Sequence, residues 1–121
     1  MYFGVKNLEV EIEKLNDSLI ELSDLNFDDA IKRNFLVVVN FYATWSSMYR
    51  LSLMILDKLE KKFGSRIVFA KADVDKNENN VRKYEVKGIP TFIIFKNGIP
   101  VDRIVGHVDE SLIENRIRTY L

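Results

Sequence analysis

The sequence predicts a single α/β domain in which a mixed β-sheet carries helices on both faces. Residues 35–42 form a continuous β-branched and aromatic run, which is typical of a central strand buried on both sides. An apolar residue then recurs at every fourth position from Leu51 to Phe63, which makes one face of a helix. Asn97-Gly98 separates two further apolar runs and predicts a tight hairpin.

Between these features the chain alternates strands and helices. Runs rich in β-branched and aromatic residues predict strands at residues 18–22, 35–42, 66–73, 91–95 and 99–105. Capping residues and one-sided apolar patterns predict helices from Ser23 or Asp24 to about residue 33, from about residue 46 to 63, from 78 to 84, and from Asp109 or Ser111 to the end. Strand–helix–strand units require parallel pairing through right-handed crossovers, whereas the hairpin adds one antiparallel pair. Leu121 is expected to face the core.

Residues 1–17 form an extension ahead of the domain, which is predicted to span residues 18–121. Leu8, Ile12 and Leu15 fit one face of a helix, whereas Leu8, Val10 and Ile12 fit an alternating strand. Of these two patterns we favour a short amphipathic helix that packs on the domain.

Composition excludes several functional classes. The 121 residues carry 18 Lys and Arg against 18 Asp and Glu, so neither nucleic acid nor a membrane is an expected partner. The chain has no cysteine, and its one histidine, His107, cannot build a zinc site alone. We therefore expect no metal and no cofactor. No signal peptide or membrane-spanning run is seen, which predicts a cytoplasmic protein.

The candidate site is the turn from the buried strand into the long helix, residues 45–49 (Trp-Ser-Ser-Met-Tyr). α/β proteins place their chemistry at such turns, because loops at the carboxyl ends of strands meet the free amides of a helix there. Ser46 is expected to cap the helix with its hydroxyl. The alternative is a hydroxyl nucleophile, for which His107 is the only imidazole that could act as base.

Four motifs, in order along the chain, make residues 18–121 resemble thioredoxin. They are residues 41–45 (Phe-Tyr-Ala-Thr-Trp), 71–75 (Lys-Ala-Asp-Val-Asp), 88–91 (Gly-Ile-Pro-Thr), and 95–98 (Phe-Lys-Asn-Gly) followed by Val105-Gly106. The resemblance implies the thioredoxin fold and a cis peptide bond before Pro90. It also implies that the main chain of Ile89 can pair with an extended substrate segment, and that Trp45 is partly exposed beside the site.

The sequence departs from the family at the reactive positions. Ser46 and Tyr49 stand where the family has its nucleophilic and resolving cysteines, and Asn40 stands where it has a buried, proton-transferring aspartate. The lysine that accompanies this aspartate is kept as Lys71. Thiol–disulfide exchange requires a thiolate, which a serine hydroxyl cannot replace. We therefore expect no such exchange from this sequence, and no catalytic residue.

The first functional hypothesis is a redox-inactive module that binds a peptide or protein at the former active-site face. The residues expected on that face are Trp45, Ser46, Ser47, Met48, Tyr49, Ile89, Pro90, Gly106 and His107. The alternative is a thioredoxin-type oxidoreductase whose natural cysteine has been replaced by Ser46 in this sequence. A third possibility, a scaffold subunit of a larger assembly, is favoured if residues 1–17 cover a partner.

Overall fold

A computed structural model of the chain describes residues 19–106 and 109–121, so the helix expected within residues 1–17 lies outside the described range. The strands are β1 (Ile20–Leu22), β2 (Leu36–Tyr42), β3 (Val68–Asp73), β4 (Thr91–Lys96) and β5 (Ile99–Val105). The helices are α1 (Phe27–Arg33), α2 (Tyr49–Phe63), α3 (Glu78–Lys83) and α4 (Glu110–Thr119). Short 3₁₀ turns occupy Gly64–Arg66 and Val74–Lys76. The predicted order of strands and helices is confirmed.

One mixed sheet runs through the described residues in the order β1-β3-β2-β4-β5. Strand β3 pairs in parallel with both β1 and β2, whereas β4 pairs antiparallel with β2 and β5. The β4–β5 hairpin turns at Asn97 and Gly98, both of which have positive φ, as the Asn-Gly pair predicts. The predicted mixed α/β sheet with helices on both faces is confirmed.

Strand β2 separates two apolar layers, because its side chains alternate between the sheet faces. Leu36 and Val38 pack with α2 and α4, in a cluster that includes Leu56 and Ile113. Val37, Val39 and Phe41 pack in the opposite layer, whose members include Phe27 of α1. All seven residues of β2 are buried, as its unbroken apolar run predicts. By the same alternation, the even-numbered Asn40 lies on the α2 face.

Helix α1 begins later than predicted, and neither Ser23 nor Asp24 caps it. Its N-cap is Asn26, whose amide and that of Phe27 donate to the Ser23 carbonyl at 3.2 and 3.0 Å. The Asp24 carboxylate instead accepts from the backbone amides of Asn79 and Asn80, at the start of α3. The expectation was wrong because a capping oxygen read from sequence does not reveal which helix it reaches.

Several boundary residues are more exposed than their hydrophobicity predicts. Phe35 precedes β2 and is 51% exposed, with the Lys96 ammonium 5.3 Å from its ring centroid. Leu51 is exposed on α2, so its expected place on the inner face was wrong. Leu121 is also exposed, and the expectation that it faces the core was wrong because the last helix ends at Thr119. Strand β3 begins at Val68 instead of Arg66, because Arg66 belongs to the preceding 3₁₀ turn and Ile67 is the C-cap of that turn. The predicted core is otherwise confirmed.

Candidate functional site

The register of the sheet brings the predicted site segments to one edge. Phe41 is aligned with Thr91, and Thr91 with Val105, so β2 and β5 end where β4 begins. The turn at residues 43–48, the loop at residues 88–90 and Gly106 therefore share this edge. β3 also ends here, since Tyr42 is aligned with Asp73. His107 lies outside the described residues.

Trp45 is the most exposed aromatic residue at this edge, with 69% of its surface accessible. Its indole Nε1 donates to the Asp75 Oδ2 atom at 3.2 Å. The Asp75 amide in turn donates to the Asp73 carboxylate, which fixes the 3₁₀ turn that carries Asp75. The partial exposure expected for Trp45 is therefore confirmed, and Asp75 holds the N–H edge of its ring.

Ser46 lies in the turn and does not occupy the cap of the helix. Helix α2 begins at Tyr49 with Met48 as its N-cap, so the expected helix start at residue 46 was wrong. The Ser46 hydroxyl accepts from the Met48 amide at 3.1 Å, and its carbonyl accepts from the Tyr49 amide. Because Ser46 lies two residues before the N-cap, its hydroxyl accepts an amide hydrogen bond within the turn and not one from the first turn of the helix. The Ser46–His107 pair involves a residue outside the described ranges and stays a prediction.

Asn40 is fully buried beneath the start of α2. Its Nδ2 atom donates to the Ser52 hydroxyl at 3.1 Å, and this hydroxyl donates to the Tyr49 carbonyl at 3.0 Å. Within the described residues, the Asn40 Oδ1 atom is buried without a hydrogen-bond partner. The sequence did not lead us to predict a role for Ser52. A small polar residue on the inner face of an amphipathic helix could have indicated a buried hydrogen bond.

Tyr49 stacks on Tyr42, with ring centroids 5.5 Å apart and an interplanar angle of 25°. The Tyr42 hydroxyl donates to the Glu21 carboxylate at 2.8 Å. Burial raises the pKa of Tyr42 well above its usual range, and the Glu21 hydrogen bond and negative charge add to this effect. The Lys71 ammonium lies 3.8 Å from the same carboxylate. Glu21, which was not predicted from the sequence, thus contacts Lys71 directly and is linked to Tyr49 through Tyr42.

The Ile89–Pro90 peptide bond is cis. The Pro90 side chain is buried, and its carbonyl accepts from the Gly106 amide at 2.8 Å. The expectation that Pro90 contributes a contact surface is therefore wrong for its side chain. Ile89 is half-buried, and no hydrogen bond within residues 19–106 and 109–121 uses its backbone amide or carbonyl.

A family model described as Thioredoxin matches residues 18–119. The chain belongs to the thioredoxin family.

The relatives resemble the chain over nearly the whole domain. A thioredoxin from Staphylococcus saprophyticus is 34% identical over 104 residues, which cover 86% of this chain and 99% of the relative. The oxidised mitochondrial thioredoxin 3 of Saccharomyces cerevisiae superposes with a TM-score of 0.79 at 30% identity, over 87% of this chain and 98% of that one. A mutant thioredoxin from Halobacterium salinarum superposes with a TM-score of 0.78 at 28% identity, over 86% of this chain and 91% of that one.

This family member keeps the thioredoxin scaffold without the cysteine thiols that thiol exchange requires. The sequence contains no cysteine, and Ser46 and Tyr49 occupy the positions of the family's reactive cysteines. Ser47 is exposed, while Met48 and Tyr49 are half-buried, so the turn presents a mixed polar and apolar surface. In the described part of the chain, no cluster of potential metal ligands is found, and no helix combines the length and hydropathy needed to cross a bilayer.

Proposed function

We propose that this thioredoxin-fold protein is a redox-inactive binding module that holds an extended peptide segment of a partner protein. The single observation that carries the proposal is chemical: no cysteine thiol is present to form a mixed disulfide at the Ser46 turn. The buried amide of Asn40 supports it further, because an amide cannot accept and return the proton that the exchange requires.

Two features of the edge favour a peptide as the ligand. Trp45 offers an exposed aromatic surface, and aromatic residues commonly anchor protein partners. The main-chain amide and carbonyl of Ile89 lack partners among the described residues, as strand addition by an extended segment requires. Half-buried Met48 and Tyr49 add adaptable apolar contact beside them.

An array of short, unstructured peptides tests this proposal. The wild-type protein, Trp45→Ala and Phe35→Ala are applied to identical arrays. Phe35 is the matched control, because it is also an exposed aromatic residue but precedes β2 at the opposite edge of the sheet. We expect a subset of peptides to bind both the wild type and Phe35→Ala. The same peptides should not bind Trp45→Ala. Wild-type protein that retains no peptide, or Trp45→Ala that retains the same ones, would overturn the proposal.

Backbone substitution in the peptides separates strand addition from side-chain contact alone. Methylation of one peptide amide removes a donor without changing any side chain. If Ile89 pairs with the ligand, methylation at one central position should abolish binding, and methylation at a neighbouring position should not. Equal tolerance of methylation at every position would contradict the role of Ile89.

The alternative is an oxidoreductase with a natural cysteine at position 46, which would work through mixed disulfides with an external thiol. The relatives named thioredoxin favour it. Tyr49 at the resolving position is compatible with this one-thiol mechanism. Tyr49 and Asn40 argue only against a laboratory origin of the site as a whole, because engineering would change cysteines to Ser or Ala and leave the aspartate in place; they leave open a Cys→Ser change at position 46 alone. The codon for residue 46 in the native gene decides between the two functions.

A further inference from the structure

We propose that the Trp45–Asp75 pair is a subsite for an arginine side chain of the bound peptide, an inference that rests on the proposed function. An indole N–H lies in the ring plane, so the Asp75 carboxylate that accepts it at 3.2 Å lies at the edge of the ring. Both faces of Trp45 therefore stay clear of this contact. An open aromatic face beside a carboxylate is the environment in which a cation is attracted twice, by the ring and by the negative charge.

Asp75 is available for such a ligand. Its Oδ2 atom accepts from the Trp45 indole, and within the described residues neither carboxylate oxygen forms an ion pair. The residue is exposed, yet the bond from its amide to the Asp73 carboxylate holds it in the Val74–Lys76 turn. The carboxylate is thus fixed in place before any ligand arrives.

The geometry favours arginine over lysine. A guanidinium is planar, so it can stack on the Trp45 ring while its edge donates to the carboxylate beside that ring. An ammonium is a compact point charge that stays more strongly hydrated and cannot stack. The carboxylate also repels acidic peptide side chains, which gives the subsite its selectivity.

Two small probes test the subsite without a known partner: the acetylated, methylamide-capped forms of arginine and of citrulline. Citrulline keeps the planar shape and loses the charge. Trp45 is the only tryptophan in the chain, so its indole N–H gives one identifiable resonance in an isotope-labelled sample. We expect the arginine probe to shift this resonance and to bind roughly tenfold more tightly than the citrulline probe.

The variant Asp75→Asn gives the matched test. An asparagine can still accept the indole hydrogen bond through its amide oxygen, but it carries no charge. We expect it to abolish the preference for arginine over citrulline, whereas Glu78→Gln, which removes a charge from the nearby α3, should leave most of it. An arginine probe that leaves the Trp45 resonance in place, or an unchanged preference in Asp75→Asn, would overturn the inference.

The outcomes also separate this inference from the proposed function. Suppose that the peptide array yields no ligand but that the Trp45 resonance shows tighter binding of the arginine probe than of the citrulline probe. This result would reject the peptide-binding function and keep the arginine subsite. Ligands that require Trp45 but bind equally well after arginine is replaced by citrulline would keep the function and reject the subsite.

Discussion

Asn40 and Ser52 are joined by a buried hydrogen bond of 3.1 Å between the Asn40 amide and the Ser52 hydroxyl. The same hydroxyl donates to the Tyr49 carbonyl, so the central strand β2 is tied to the first turn of α2. In a redox-active family member, the residue at position 40 is expected to move protons. Here it positions the helix that carries the site.

Removing one side of this contact should be costly. Ser52→Ala leaves the buried Asn40 amide without an acceptor, and we expect it to lower the free energy of unfolding by about 1–3 kcal/mol. Asn40→Leu combined with Ser52→Ala removes both polar groups and should cost less than the two single changes added together. Urea denaturation of the four proteins measures this coupling, and strictly additive costs would contradict it.

Tyr42 should make stability depend on alkaline pH. Its folded pKa is raised above its unfolded value of about 10, so the unfolded state loses its proton first as pH rises. The stabilisation that comes from the neutral hydroxyl is fully present below the unfolded pKa and decreases above it. Between about pH 9 and about pH 11, wild type should lose more stability than Tyr42→Phe. Lysine titration affects both proteins alike, so parallel denaturation curves would contradict this assignment.

Gly88 lies close to the Val105 side chain of β5. A Cβ atom at this position would lie 2.7 Å from the Val105 Cγ1 atom, inside van der Waals contact. We expect Gly88→Ala to cost about 1–3 kcal/mol by shifting the loop at residues 88–90. Adding Val105→Ala, which removes the contacting methyl group, should restore most of the loss. If Val105→Ala gives no rescue, the overlap is not the cause of the loss.

Restoring sulfur should restore only part of the family's chemistry. Ser46→Cys with Tyr49→Cys places thiols at both reactive positions, and we expect weak disulfide reduction, because Asn40 cannot transfer the proton. Adding Asn40→Asp should raise the rate. The rates of the double and triple variants with insulin as substrate measure this effect. A double variant as fast as a thioredoxin, or a triple variant no faster than the double, would refute the proton-transfer argument.

The sequence predicts the fold well because hydrophobic periodicity and turn chemistry are local signals. The buried run of β2, the Asn97-Gly98 hairpin and the inward face of α4 at Ile113 and Ile117 are all found as expected. Helix starts are less well predicted, because an oxygen that can cap a helix gives no indication of its target. Asp24, for example, binds the amides at the start of α3 rather than α1.

The site is predicted only in part, since its supporting contacts join residues that are distant along the chain. Trp45 lies in a matched motif, and the roles of Asn40 and Tyr49 follow from their spacing to that motif in the family, but no such correspondence points to Ser52 or Glu21. Asp75 lies inside a matched motif, yet its bond to Trp45 crosses 30 residues of sequence. The contact roles of residues 45–49, Ile89, Gly106 and His107, and the cytoplasmic location, stay predictions.

The most direct test of the central claim is insulin reduction by the protein as it stands, with dithiothreitol as the electron donor. We predict that the rate equals that of dithiothreitol alone, because no atom of this chain can form a mixed disulfide. The double cysteine variant serves as the positive control in the same assay. Any reproducible rate above that of dithiothreitol alone would contradict the account.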